Sequence, residues 1–299
     1  MAPETFTVTV HPLSFPFPVP HSSAYEIGLA DAKNALVFIG GLGDGPHTVP
    51  YPRAIAKRLE AEPELSYSVF EFRMTSAFSG FGFASLKDDV DEISAFVKYL
   101  RGIGKQRIVL MGHSTGSQDC MEYTSPKHHD AAPVEGYILQ APVCDRAAIE
   151  DEMGDEDWMN MSLKVTEDLI RSGKIHDRMP PEHVSDAFSN VPMSVWRWNS
   201  LTAENGEDNY FDPKRPDSAN GPFWQRIDKP LLILHSENDE FVTPDVDKEA
   251  LITHWKSLCQ PGIASDLSGV IPGATHRVEE PESEKWLADT VVKFLQSIK

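Results

Sequence analysis

An apolar run that ends in a serine between two glycines is the feature that most constrains the fold of this 299-residue chain. The stretch VLMGHSTGSQD matches the pattern G-x-S-x-G at Gly112, Ser114 and Gly116. RIVLM, which leads into it, is typical of a buried strand, and GSQDCMEYTS after it is typical of a helix. A strand that turns this sharply into a helix needs small residues beside the serine and raises its hydroxyl above the sheet edge. The stretch therefore predicts a nucleophile, with an ordinary helix-capping serine as the alternative.

Strands alternate with helices along the rest of the chain, which favours a mostly parallel sheet with helices on both faces. Strands are predicted at NALVFIGG, YSVFEF, RIVLM, GYILQAP and PLLILHS. Helices are predicted at YPRAIAKRLEAE, at SLKDDVDEISAFVKYLRG and at SEKWLADTVVKFLQSI. In the second helix Ser85 is expected to be the N-cap, with Asp88 three residues later. The prediction is a single α/β domain over residues 1–299.

The alternation stops over residues 145–221, between the last two predicted strands. The first part of this segment is acidic and helical in character, and the second part is irregular, with aromatic residues among polar ones. Its apolar periodicity is too poor to predict a core of its own, so we expect a cap insertion that folds over the strand ends.

A serine nucleophile needs a base and an acid that orients the base. In this architecture they follow the serine in the order acid, then histidine. Asp239 lies in ENDEFVTP, directly after the strand PLLILHS, and is the favoured acid. Glu237, Glu240 and Asp245 are close competitors in the same loop.

His276 is the predicted base among eleven histidines. It follows a short strand and a glycine turn in LSGVIPGATHR and precedes the final helix. His113 is the variable residue of the serine motif and is expected to face away from the hydroxyl. His235 lies inside an apolar strand, where a packed neutral imidazole is the simpler interpretation, and His254 lies on a predicted helix.

The oxyanion of an acyl-transfer reaction needs two preorganised amides. One is expected from Thr115, the residue after the nucleophile, and the other from the loop FIGGLGDGPHT after an early strand. Leu42 is the expected donor in that loop, and Gly41 is the alternative. The loop lacks the G-x-G-x-x-G and G-K-[ST] patterns of nucleotide sites, and no metal-binding motif is present in the chain. We therefore expect neither a cofactor nor a metal.

The charge of the chain excludes some partners. The formal net charge is −19, which disfavours binding to nucleic acid or to an anionic membrane surface. No apolar run approaches the roughly 20 residues of a membrane span. Three cysteines without C-x-x-C spacing are typical of reduced thiols, so we expect a cytoplasmic protein.

Four residues of the insertion, and one just after it, could line a roomy substrate pocket. They are Trp196, Arg197, Trp198, Tyr210 and Trp224. The alternative is that these side chains anchor the cap to the sheet. The acidic stretch from Glu150 to Asp157 is expected to be a solvated helix face and not an iron site.

The segments GGLGDG, SGFGFASLKDDVDEI, GHSTGSQD, LQAPVCDR and LLILHSENDEFVTPDVDK run in order over most of the chain. With them the chain resembles the α/β-hydrolases, and within these a fungal and plant family that includes the SidJ-type siderophore esterases. The resemblance implies a Ser-Asp-His esterase at Ser114, Asp239 and His276. It implies a small-molecule ester substrate, a fusarinine-type hydroxamate siderophore in ferric or iron-free form, whose hydrolysis releases intracellular iron. A generic carboxylesterase, thioesterase or lipase is the alternative, as is a non-catalytic binding protein on a hydrolase scaffold.

Overall fold

The computed structural model describes residues 5–14, 17–128 and 130–298. Across them runs an eight-stranded sheet in the order β1-β2-β4-β3-β5-β6-β7-β8. Its strands are β1 (Thr9–Leu13), β2 (Ser22–Gly28), β3 (Asn34–Ile39), β4 (Tyr67–Phe72), β5 (Arg107–His113), β6 (Gly136–Gln140), β7 (Leu231–Ser236) and β8 (Gly269–Ile271). Strand β2 is antiparallel to β1 and β4, and every other pair is parallel.

Nine α-helices lie within the described residues. They are α1 (Tyr51–Glu60), α2 (Leu86–Gly102), α3 (Gly116–Tyr123), α4 (Asp145–Met153), α5 (Glu156–Arg171), α6 (Val195–Thr202), α7 (Asp217–Gln225), α8 (Lys248–Leu258) and α9 (Pro281–Ser297). None of these helices is long and apolar enough to cross a membrane. The three cysteines are free thiols.

Helices cover both faces of the sheet, as the alternation predicts. All six side chains of β3 are buried, and successive residues point to opposite faces. Ala35, Val37 and Ile39 pack with the apolar faces of α2, α3 and α8. Leu36 and Phe38 pack with those of α1 and α9. A strand buried on both sides carries a continuous apolar run, which is why its sequence identifies it.

The predicted start of α2 is also confirmed. The hydroxyl of Ser85 accepts a hydrogen bond from the amide of Asp88, and the carboxylate of Asp88 accepts one from the amide of Ser85. This reciprocal pair satisfies amides that the first helical turn leaves free.

Residues 145–221 contain α4, α5, α6 and the first half of α7. This segment buries an apolar cluster, which includes Ile149, Met159, Met193 and Trp198. Phe81, from a loop of the sheet body, completes the cluster. Its members come from short separate pieces of chain, so no periodicity in the sequence reveals it.

Strands β1 and β2 were not predicted from the sequence. They form the antiparallel edge of the sheet. In β1 the first four residues are exposed or half-buried and only Leu13 is buried. An edge strand with so little apolar surface lacks the pattern that identifies the central strands.

Candidate active site

Ser114 occupies the turn between β5 and α3, and its backbone is in the left-handed region with φ of 53°. The two glycines are required by close contacts. A Cβ on Gly112 would lie 2.0 Å from the carbonyl oxygen of Gly116, and a Cβ on Gly116 would lie 2.3 Å from that of Ile39. The strained serine and its crowded glycines form the sharp strand-to-helix turn that the pattern G-x-S-x-G predicts.

Asp239 and His276 meet at the same sheet edge. Nδ1 of His276 lies 2.9 Å from each carboxylate oxygen of Asp239, and both residues are buried. Burial alone would raise the pKa of Asp239, but the hydrogen bond from His276 and its charge outweigh burial, so this pKa lies below its usual value. The acid is therefore ionised at neutral pH and fixes the tautomer of the imidazole.

The competing carboxylates of the acid loop have other partners. Glu240 accepts a hydrogen bond from the backbone amide of His276 at 2.9 Å, and Glu237 accepts one from the amide of Gly273. Asp245 is exposed. Among the four candidates, the structure pairs the ring of His276 with Asp239.

His113 packs its ring against that of His276, with 4.8 Å between the ring centroids. Burial, and then the positive charge of His276, lowers the pKa of His113 to about 3. Its Nδ1 lies 2.5 Å from Oε1 of Gln140. The ring of His113 is thus neutral and hydrogen-bonded, and it packs against the ring of His276 without competing with it for a proton.

Gln140, at the end of β6, forms hydrogen bonds to several parts of this arrangement. Its backbone carbonyl accepts the amide of Ser114 at 3.0 Å. Its side-chain amide donates to Oγ of Ser236 at 3.2 Å and to the carbonyl oxygen of His276 at 3.4 Å. Its side-chain oxygen also accepts the hydroxyl of Tyr51 at 2.8 Å. One fully buried residue therefore connects the elbow, the strand that leads to the acid, and the loop of the base.

The loop after β3 contains Leu42 and Gly41, the two alternatives for the second oxyanion donor. The amide of Gly41 donates to the carboxylate of Asp44 at 3.0 Å, so it is already occupied. No residue in the described part of the chain accepts a hydrogen bond from the amides of Leu42 or Thr115. This difference favours Leu42 over Gly41. Gly41 instead permits close approach, since a Cβ there would lie 2.7 Å from Cβ of Ser114.

Asp44 also joins the oxyanion loop to the loop of the base. Its second oxygen lies 2.9 Å from Nη1 of Arg277, the residue after His276. Arg277 in turn donates to the carbonyl oxygen of Thr48 at 2.6 Å. These contacts hold the loop after β3 and the loop that contains His276 at a fixed separation.

The aromatic residues expected to line the pocket are mostly packed inside the protein. Trp198 is fully buried in the apolar cluster of the insertion and donates from Nε1 to Ser162 at 2.8 Å. Trp224 is fully buried and stacks on Trp255. Neither residue belongs to the wall of the large cavity near the site. The pocket interpretation is corrected to the alternative, in which these residues anchor the insertion.

Arg197 and Tyr210 are buried as well. Nη1 of Arg197 lies 2.6 Å from Asp208, and the hydroxyl of Tyr210 donates to Glu122. Trp196 is half-buried. None of these three lines the large cavity near the site.

That cavity has a volume of about 920 Å³ and lies between the insertion and the acid loop. Phe241 belongs to its wall and packs edge-on against His276 with 4.7 Å between ring centroids. Ser114 and His276 are not part of the wall. We call this cavity the chamber.

Gln140 and Asp44 are the site residues that the sequence analysis missed. Gln140 is the one polar residue of an otherwise apolar strand, and Asp44 is the acid in a glycine-rich loop. Each of these two sequence patterns indicates a buried polar side chain that needs hydrogen-bond partners. The partners could not be identified, because they are distant in the sequence. No group of three or more His, Cys, Asp or Glu side chains within the described residues is arranged to hold a metal ion.

Comparison with known proteins assigns the family. A family model described as "Protein of unknown function (DUF1749)" matches residues 2–296. The chain belongs to the DUF1749 family. The UPF0613 protein PB24D3.06c of Schizosaccharomyces pombe is 35% identical over 282 residues, which cover 89% of this chain and 88% of that protein. The fusarinine C esterase sidJ of Aspergillus fumigatus is 27% identical over 321 residues, which cover 89% of each chain.

Among solved structures, the fold is similar to that of the siderophore hydrolase EstB from Aspergillus fumigatus. The two match with a TM-score of 0.81 and 25% sequence identity, over 100% of this chain and 99% of that one. Together with the sheet order, the similarity confirms the predicted α/β-hydrolase fold and the resemblance to the siderophore esterase family.

Proposed function

We propose that this member of the DUF1749 family is a serine ester hydrolase with Ser114 as nucleophile, His276 as base and Asp239 as the orienting acid. The observation that carries the proposal is the contact of Nδ1 of His276 with both oxygens of Asp239 at 2.9 Å. With Nδ1 bound to the acid, Nε2 is the ring nitrogen that remains to accept a proton from the nucleophile.

The reaction follows from these roles. Oγ of Ser114 attacks the ester carbonyl while its proton moves to Nε2 of His276, and the carbonyl oxygen becomes an oxyanion. The imidazolium then gives its proton to the leaving alcohol as the carbon–oxygen bond breaks. Water, deprotonated by the same nitrogen, cleaves the acyl-enzyme and restores Ser114. Asp239 stays ionised throughout and stabilises the imidazolium.

Free amides would stabilise the oxyanion. Those of Leu42 and Thr115 donate to none of the described residues, and Thr115 stands at the N-terminus of α3, whose dipole favours negative charge. Removal of one such donor typically costs about 10²–10³ in kcat.

We infer that the substrate is a small-molecule ester, and more narrowly a fusarinine-type hydroxamate siderophore whose hydrolysis releases iron in the cytoplasm. The names of the similar fusarinine C esterase and siderophore hydrolase support this. In this proposal residues 145–221 act as a cap that determines which esters enter.

A direct test uses a fluorophosphonate probe, a panel of short esters and fusarinine-type siderophores with and without iron. Wild type should be labelled and should hydrolyse a siderophore, and Ser114→Ala should lose labelling and several orders of magnitude in kcat. Ser172→Ala, on an exposed helix end, is the matched control and should behave as wild type. Labelling and near-normal hydrolysis by Ser114→Ala would overturn the proposal. Hydrolysis of short esters alone would reject the siderophore substrate and keep the esterase.

A further inference from the structure

Residues 41–44, which we call the oxyanion turn, are held at their base and at their tip by different parts of the molecule. The amide of Asp44 donates to the carbonyl oxygen of Gly41 at 3.1 Å and closes the turn. Gly43 is its third residue, and the φ of 79° is that of a type II turn. The base is held by the carboxylate of Asp44, which binds the amide of Gly41 and the guanidinium of Arg277. No residue of the turn belongs to the wall of the chamber.

The tip of the oxyanion turn packs against the apolar cluster of the insertion. The side chain of Leu42 is half-buried and lies against that cluster. Phe81, which completes the cluster, also covers Gly43, since a Cβ there would lie 4.0 Å from Cε1 of the ring. Phe188 of the insertion packs edge-on against Phe81, with 5.6 Å between the ring centroids. The insertion therefore contacts the residue whose free amide is the expected oxyanion donor.

Backbone hydrogen bonds fix the loop of Phe81 between the insertion and the oxyanion turn. On the insertion side, the carbonyl oxygen of Phe81 accepts Nε of Arg197 at 3.1 Å. The carbonyl oxygen of Gly82 accepts the amide of Ser194 at 2.8 Å. On the other side, the amide of Phe78 donates to the last carbonyl oxygen of the oxyanion turn at 2.8 Å. The position of the turn thus depends on the packing of the insertion.

We propose that the apolar cluster of the insertion positions the oxyanion turn, and that Leu42 acts through its side chain as well as through its amide. This inference rests on the proposed ester hydrolysis and adds a positioning role for Leu42, Phe81 and Phe188. The insertion then contributes to the rate of the chemical step, and not only to the choice of ester. Because the oxyanion forms only on the way to and from the tetrahedral intermediate, a loosened turn should lower kcat and leave KM unchanged.

Leu42→Ala is the first test, because it removes the side chain and keeps the amide. Since a displacement of about 1 Å can cost 10²-fold, we expect kcat for a short umbelliferyl ester to fall by about 10- to 100-fold with unchanged KM. The dissociation constant of a trifluoromethyl ketone, whose tetrahedral adduct with Ser114 carries the same oxyanion, should rise by a similar factor. Leu42→Met keeps most of the apolar contact and should restore kcat to within about threefold of wild type.

Leu169→Ala is the matched control for the loss of packing. Leu169 is also half-buried against the apolar cluster, but it lies on α5, which packs on α4 and α6. The same truncation there should lower the free energy of unfolding in urea titrations and keep the wild-type kcat and the wild-type affinity for the trifluoromethyl ketone.

Phe188→Ala tests the part of the insertion, because it removes the ring that packs on Phe81 and leaves the oxyanion turn itself intact. Its kcat should fall by about 3- to 10-fold with unchanged KM. Wild-type kcat in Leu42→Ala or in Phe188→Ala, or an equal loss of kcat in Leu169→Ala and Leu42→Ala, would overturn the positioning role alone. Absence of fluorophosphonate labelling and of ester hydrolysis in wild type would overturn the proposed hydrolase and this inference with it.

Discussion

Gln140→Leu tests whether the buried network holds the base in place. The substitution keeps the backbone carbonyl that accepts the amide of Ser114 but removes the side-chain amide. The hydroxyl of Tyr51 and Nδ1 of His113 then lose the acceptor that they share at 2.8 and 2.5 Å. The carbonyl of His276 loses a donor at 3.4 Å.

The magnitude follows from these distances. A buried donor left without an acceptor costs about 1–3 kcal/mol. His113 can avoid part of this by moving its proton to the other ring nitrogen, which lies 3.9 Å from Asp44, whereas Tyr51 cannot. The two contacts beyond 3 Å contribute less. We therefore expect the free energy of unfolding to fall by about 2–4 kcal/mol. Because displacement of a catalytic group by about 1 Å can cost 10²-fold, we expect kcat to fall by about 10- to 100-fold.

Urea unfolding and the kinetics of a short ester measure the two effects separately. Tyr51→Phe is the matched variant, because it removes the donor together with its need for a partner and leaves His113 bound to Gln140. It should lose about 1 kcal/mol in the free energy of unfolding and keep its kcat. A Gln140→Leu protein that keeps wild-type kcat, or a Tyr51→Phe protein with an equal loss of kcat, would refute the positioning role.

Four further outcomes are expected. Arg197→Met leaves Asp208 buried without its 2.6 Å partner and should lower the free energy of unfolding by about 3–5 kcal/mol in urea titrations. Burial raises the pKa of Asp89 to about 8. The free energy of unfolding should therefore fall as the pH rises from about 4 to about 8, by up to ~1.4 kcal/mol per pH unit. In Asp89→Asn the free energy of unfolding should fall less steeply over the same pH range. Gly116→Ala should yield little folded protein by circular dichroism, since its Cβ would lie 2.3 Å from the carbonyl oxygen of Ile39. Chelation should leave the hydrolysis of an iron-free ester unchanged in a rate assay, because the triad needs no metal.

The sequence predicts the central sheet well because each of its strands is buried on both faces. Every residue of β3, β4, β6 and β7 is buried, as is all of β5 except Arg107, so most of these strands carry apolar runs. The edge strand β1 is mostly exposed or half-buried, and its neighbour β2 mixes buried and half-buried residues, so neither carries a continuous apolar run. The serine motif, the acid loop and the histidine could be located because strand ends fix where catalytic residues stand in a parallel sheet.

The insertion could not be predicted in the same way. Trp198 and Trp224 are large aromatic residues in an irregular segment. No pattern in the neighbouring sequence distinguishes an aromatic residue that lines a cavity from one that packs in the interior. Their burial depends on Ser162 and Trp255, which come from other helices. The role of Gln140 was missed for a similar reason, since His113, Ser236 and His276 reach it only in the folded protein.

Three of the segments that carry the family resemblance each contain an aspartate that is affected by the charge of Arg197. This cap residue is buried, and its positive charge acts to lower the pKa of Asp89 in KDDVDEI, Asp119 in GHSTGSQD and Asp145 in VCDR. Burial outweighs that charge and raises the pKa of all three carboxyl groups. Asp145 also accepts a hydrogen bond from the side-chain amide of Gln118 at 2.7 Å, which joins the start of α4 in the insertion to α3, the helix that follows Ser114.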